Sequence, residues 1–121
     1  MDDVPMLDRE HLSMLLRLEA GEGSGRLTRM FQHYLDSVPP QLTRMRAALD
    51  AGDVDALVRE AHGLAGSSGM YGMSRVRQCC VRLEASLKGQ RLVGAGELLA
   101  CVERAFEETR PLLMASLAPS P

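Results

Sequence analysis

An all-α domain, an antiparallel four-helix bundle with a short additional N-terminal helix, is expected from three features of this 121-residue chain. Leu, Ala, Arg, Glu and Met are abundant, and these are the residues that lose least on entering a helix. The β-branched and aromatic residues that strands favour are sparse, with two Phe, two Tyr and no Trp. Apolar residues recur at steps of three and four along most of the chain, and no alternation of useful length appears. Packing must then rest on Leu and Met, as is usual in helical bundles.

Taking the chain in order, Asp8 is placed to cap a short helix carrying Leu12, Leu15, Leu16 and Leu18, which the Gly-Glu-Gly-Ser-Gly run at 21–25 ends. A long stripe follows: Leu27, Phe31, Tyr34, Leu35, Val38, Leu42, Met45 and Leu49. Pro39 and Pro40 remove two donors and disfavour α geometry at Val38, so a kink is expected. The stripe keeps its register across them, which favours one bent helix over two. Gly52 closes it and Asp53 caps the next helix, where Val54, Leu57, Val58, Ala61, Leu64, Ala65 and Ser68 share a face. After Gly72, Ser74 is expected to cap a fourth helix bearing Val76, Cys79, Cys80, Leu83 and Leu87, with Gly89 as its stop. The last helix is expected from about Glu97 to Leu117, bent by Pro111. Residues 1–7 read as a flexible N-terminus and 8–118 as a single domain, with no internal repeat.

Composition excludes several function classes. A net charge of -2, from fourteen basic and sixteen acidic residues, lacks the basic excess of general nucleic-acid binders. It is also too small to keep the chain open by self-repulsion. The longest stretch free of Asp, Glu, Lys and Arg, Ala61 to Ser74, is Gly- and Ser-rich and too short to span a bilayer. The N-terminal MDDVPMLDRE lacks the basic-then-apolar order of a secretory signal. Cys79, Cys80 and Cys101 are odd in number and two are adjacent, which argues against a disulfide framework. A monomeric cytoplasmic domain is the expectation, with neither nucleic acid nor membrane as partner.

The stretch that carries chemistry is Arg59-Glu-Ala-His62-Gly-Leu-Ala65-Gly66-Ser-Ser-Gly69-Met-Tyr-Gly72. On a helical wheel of about 100° per residue, His62 falls at the margin of the face centred on Ala61. Gly66 lies one turn onward on the His62 side and Gly69 two turns onward. Three interior glycines, Gly63, Gly66 and Gly69, cost a helix about 3 kcal/mol relative to alanine. A helix tolerates that where something must come close to its backbone. Cleared ground beside an exposed imidazole points to a histidine on which a partner docks. The plainer alternative is a surface histidine near a helix end.

The string Ala61-His62-x-Leu64-x-Gly66-x5-Gly72, followed by Leu83-Glu84, resembles the histidine-containing phosphotransfer (HPt) domains of two-component phosphorelays. So do Arg29-Met-Phe-Gln-His-Tyr-Leu-Asp-Ser-Val-Pro and Leu42 through Leu57, and the resemblance covers about residues 8–115. It implies a four-helix bundle with the phosphorylated histidine mid-helix, here His62. It also implies a phosphohistidine carrier that takes a phosphoryl group from a receiver-domain aspartate and passes it to another receiver, with a hybrid sensor kinase upstream. Such a protein has no ATP site and no cofactor of its own, and the Mg²⁺ comes with the receiver. The family usually has a lysine three residues after the histidine, where this chain has Ala65. Arg59, Arg75 and Lys88 are the candidates to offset phosphoryl charge in its place, the other reading of each being a solvated surface charge. Gly63, Gly66 and Gly69 are the expected docking ground. Residues 75–91 hold five basic residues against Glu84 alone, a charge that would steer an acidic receiver site.

The residues are suited to that chemistry. An imidazole is largely neutral at pH 7 and attacks phosphorus in line without a separate base. Phosphoryl transfer then depends on positioning and charge neutralisation. The acids nearest in sequence, Asp55 and Glu60, fall on different sides of the helix, so no metal cluster is expected around His62. Glycines spaced by three with no Lys-Ser/Thr ending do not form a P-loop. Cys79, Cys80 and Cys101 lack paired zinc-ligand spacing. His11 and His33 lie off their stripes and read as surface residues. Two alternatives stay open: an HPt-like adaptor that regulates a kinase or receiver by binding without being phosphorylated, which Ala65 favours, and a homodimeric bundle.

Overall fold

The computed structural model describes residues 4–117, which form five helices. They are α1 (Arg9–Glu22), α2 (Arg26–Ala51), α3 (Val54–Met70), α4 (Ser74–Ser86) and α5 (Ala95–Leu117). No strand occurs among the described residues. The last four helices make the bundle, α3 packing between α2 and α4, and α4 against α5, while α1 leans on α2. The expected all-α architecture is therefore the observed one.

Local chemistry sets most boundaries. The carboxylate of Asp8 accepts from the His11 N–H at 3.0 Å, and that of Asp53 from the Ala56 N–H at 3.1 Å, so each satisfies a donor that the first turn leaves unpaired. Gly23 and Gly52 end α1 and α2 in the left-handed conformation. α2 runs unbroken through Pro39 and Pro40, both exposed, while Val38 beside them is fully buried. Burial of the continuous stripe Phe31, Tyr34, Leu35, Val38 and Met45 outweighs two lost ladder bonds. The buried Tyr34 hydroxyl is paired with the Ser68 hydroxyl of α3 at 2.7 Å, so it carries no unpaired polar atom into the core.

Several expectations need correction. Ser74 does not cap α4: it is the first helical residue, and the cap position belongs to the fully buried Met73, whose N–H donates to the Ser68 carbonyl at 2.8 Å. α5 begins at Ala95 rather than about 97. Leu18, expected on the inner stripe of α1, is 57% exposed, because α1 has one neighbouring helix and buries only Leu12. Residues 4–7, expected to belong to the flexible N-terminus, make contacts with the bundle. Leu7 is 4% exposed within the core, and the Arg75 side chain donates to the Val4 carbonyl at 3.2 and 3.0 Å. The Asp8 N–H also donates to the Gly72 carbonyl at 2.8 Å. That contact needs glycine at 72 twice over: its φ is +74°, and a Cβ there would sit 3.2 Å from the Asp8 carbonyl oxygen. Residues 1–3, and the expected domain end at 118, lie outside the described residues.

Candidate functional site

His62 stands in the middle of α3 between Ala61, wholly buried, and Gly63, which is exposed. Its side chain is 78% exposed. The α3–α4 connection is short, so residues at similar distances from Gly72 come level on the two antiparallel helices. His62 lies ten residues before that glycine and Glu84 twelve after it. The ring Nδ1 accordingly sits 3.2 and 3.3 Å from the two carboxylate oxygens of Glu84. The tautomer that suits this contact carries its proton on Nδ1, donates it to Glu84, and turns the Nε2 lone pair to solvent.

Glu84 is the site residue that sequence reasoning missed as a partner for the ring. The nearby acids it considered were Asp55 and Glu60, which are otherwise engaged. Glu60 accepts from Arg44 of α2 at 3.0 and 3.3 Å and from the Gln41 side chain at 3.2 Å. The Arg44 guanidinium holds the Glu60 carboxyl below its ordinary range, against the opposing effect of partial burial. Asp55 lies 3.5 Å from the Gln90 side-chain amide.

The glycines divide into two kinds. Nothing lies within 4 Å of where a Cβ on Gly66 would be, and at Gly63 only the Gln41 amide comes as near as 3.9 Å. Both border an open groove of about 510 Å³ between α2 and α3, whose walls include Gln41, Met70 and Tyr71. Gly69 is different. A Cβ there would meet the Arg77 side chain at 3.0 Å, so this ground is occupied by a residue of α4 rather than left clear.

The basic candidates separate as well. Arg59 is exposed, one turn before His62 on the same side of α3. Lys88 is exposed just past the end of α4, one turn beyond Glu84. Arg75 is spent on the Val4 carbonyl, nine residues and about 13 Å of helix from the level of Glu84. The charges of 75–91 therefore form no single patch: Arg77 covers Gly69, and Arg75 and Arg82 border a cleft toward α5. Ala65 is 7% exposed, so its side chain is part of the packed interior rather than of the exposed face. His33 is exposed, as expected, whereas the His11 Nε2 lies 2.8 Å from the Met70 carbonyl and ties α1 to the end of α3.

Among the described residues, no group of three or more His, Cys, Asp or Glu side chains is arranged to hold a metal ion. No helix among them is long and apolar enough to cross a membrane. The arrangement thus offers one accessible nitrogen nucleophile, oriented by a carboxylate, beside uncovered backbone.

Known proteins share this plan. The structure is similar to that of histidine-containing phosphotransfer protein B (HptB) from Pseudomonas aeruginosa, with a TM-score of 0.81 and 27% identity over 94% of this chain and 96% of that one. It also resembles a putative histidine-containing phosphotransfer protein from rice, with a TM-score of 0.80 over 93% of this chain and 79% of that one. At 20% identity the rice likeness speaks for the fold alone. No curated protein matches the sequence. The model of the Hpt domain matches residues 29–111, from the second turn of α2 to the proline of α5, and the chain belongs to that family.

Proposed function

We propose that the protein is a phosphohistidine carrier in a two-component phosphorelay, with His62 as the phosphorylated residue. The observation that carries this reading is the exposed imidazole whose Nδ1 rests on Glu84, one turn from the uncovered Gly66. In the forward step the Nε2 lone pair attacks the phosphorus of a receiver acyl phosphate, the P–O bond to the aspartate breaks, and a P–N bond forms. The aspartate leaves as a carboxylate. The ring retains its Nδ1 proton and becomes cationic, and the Glu84 carboxylate offsets that charge. Transfer to the second receiver reverses these events. The receiver brings the Mg²⁺, and this chain supplies the nucleophile and its orientation.

Docking in this reading uses the shoulder formed by Arg59, Gly63 and Gly66, with Lys88 at the far end of α4. The protein acts in the cytoplasm as a monomer, without an ATP site, between a hybrid sensor kinase and a receiver. His62→Gln should abolish acid-labile labelling by a phosphorylated receiver while leaving the helical circular-dichroism signal unchanged. Undiminished labelling of the variant would reject His62. The buried Ala65, in place of the family's usual lysine, is the feature that favours a binding-only adaptor. A wild-type protein that binds receivers yet takes no label would establish that alternative.

A further inference from the structure

On the flank of α4 away from Glu84, α4 and α5 enclose a cleft of about 230 Å³ that plays no part in the relay chemistry. Two thiols line it, Cys79 from α4 and Cys101 from α5, together with Arg75, Arg82, Arg104 and Glu108. An Arg104 N–H donates to the Cys101 sulfur at 3.3 Å. Cys101 is partly exposed, whereas Cys79 is 8% exposed.

The topology brings the two thiols to one cleft. Cys79 on α4 and Cys101 on α5 lie on two packed helices and border the same cleft. Helices packed at about 8–10 Å, each with Cα atoms on a radius of about 2.3 Å, bring facing Cα atoms to about 3.4–5.4 Å, which overlaps the roughly 4.4–6.8 Å that a disulfide spans. Cys80 is the contrasting thiol. It is fully buried, and burial pushes its thiol up to about 12, which keeps it protonated and inert.

We infer that Cys101 and Cys79 form a peroxide-oxidation site, in which Cys101 is oxidised first and Cys79 resolves it to an α4–α5 disulfide. The Cys101 sulfur attacks one oxygen of a hydroperoxide, the O–O bond breaks, and the alcohol or water leaves, with a sulfenic acid remaining on Cys101. Lined by arginines, the cleft suits the anionic sulfenate. The Cys79 sulfur then attacks the Cys101 sulfur, the S–O bond breaks, and hydroxide departs as water with the Cys79 proton. The two thiols lose two electrons and two protons to one peroxide, so the balance closes with no further reagent.

The test uses the full chain, folded, treated with hydrogen peroxide, alkylated with iodoacetamide and digested with trypsin without reductant. The expected result is peptide 78–82 joined to peptide 92–104 with loss of two hydrogens. Peptide 78–82 contains both Cys79 and Cys80, so variants decide between them. The link should persist in Cys80→Ser and be lost in Cys79→Ser and in Cys101→Ser. Because the link is read in the wild type and in Cys80→Ser, the inference does not depend on how the other two variants fold. Fully alkylated cysteines after peroxide, a bond confined to peptide 78–82, or a link that disappears in Cys80→Ser would each overturn it.

Discussion

At the scale of single residues, the proposed phosphoryl transfer turns on which nitrogen of His62 carries a proton. A carboxylate accepts hydrogen bonds and donates none, so Glu84 favours the tautomer protonated at Nδ1 and thereby exposes the Nε2 lone pair. The contact is partly solvated, and pairs of this kind contribute at most about 1 kcal/mol. Glu84→Ala should therefore slow phosphorylation of the proposed acceptor about fivefold. Nitrogen NMR of the His62 ring should show the Nδ1-protonated form losing its dominance in that variant. Glu84→Gln still offers an oxygen acceptor and should keep the tautomer while losing the charge. An Ala variant with a wild-type rate and an unchanged ring spectrum would remove Glu84 from the mechanism. His62 and Gly66 were legible in the sequence because both lie on one helix, where a wheel places them. Glu84 and the occupation of Gly69 by Arg77 were not, because they depend on how α4 is set against α3.

At the scale of elements, α3 is held between two neighbours, with Glu84 of α4 on one flank of His62 and the Arg44–Glu60–Gln41 clasp to α2 on the other. The Glu60 carboxyl titrates lower in the folded chain than its ordinary value of 4.5, because Arg44 bonds to its charged form. A depressed folded value means that the clasp stabilises the protein above the ordinary carboxylate range and stops doing so as pH falls through the folded value. Arg44 is largely solvated, so solvent screening keeps the contribution small. Urea midpoints should show Glu60→Gln slightly less stable than wild type at neutral pH, with the difference vanishing in acid once Glu60 is protonated in the folded chain. A difference that persists in acid would mean that packing, not charge, distinguishes the variant. Helix starts written in adjacent residues, such as Asp8 and Asp53, were readable in advance. The start of α2 was not: its cap is the Glu19 carboxylate of α1, which accepts from the Gly25 and Leu27 N–H groups at 2.6 Å, and no local pattern signals a cap that arrives from another helix.

At the scale of the whole molecule, reactivity and stability lie on opposite sides of the helices. The proposed acceptor and its glycines face solvent, while Phe31, Leu57, Leu64, Leu83 and Leu99 close the bundle beneath them. The helical stripes made that division readable from spacing alone. The segment before α1 escaped it, since residues 4–7 have no periodicity and their role rests on contacts with the α3–α4 turn and Arg75. The division predicts how damage there should behave. Leu7→Ala removes a side chain packed in the core and should cost about 2–4 kcal/mol, read as a lower denaturant midpoint with little change in slope. A truly loose end would tolerate the same change within about 0.5 kcal/mol. Because residues 4–8 bond to Gly72 and Arg75 rather than to His62 or Glu84, the labelling rate of the folded variant in the proposed relay should match wild type well below its melting temperature. A midpoint that does not move would return residues 4–7 to the status of a dispensable tail, and a fallen labelling rate in a still-folded variant would show that the N-terminal segment shapes the docking face as well as the core.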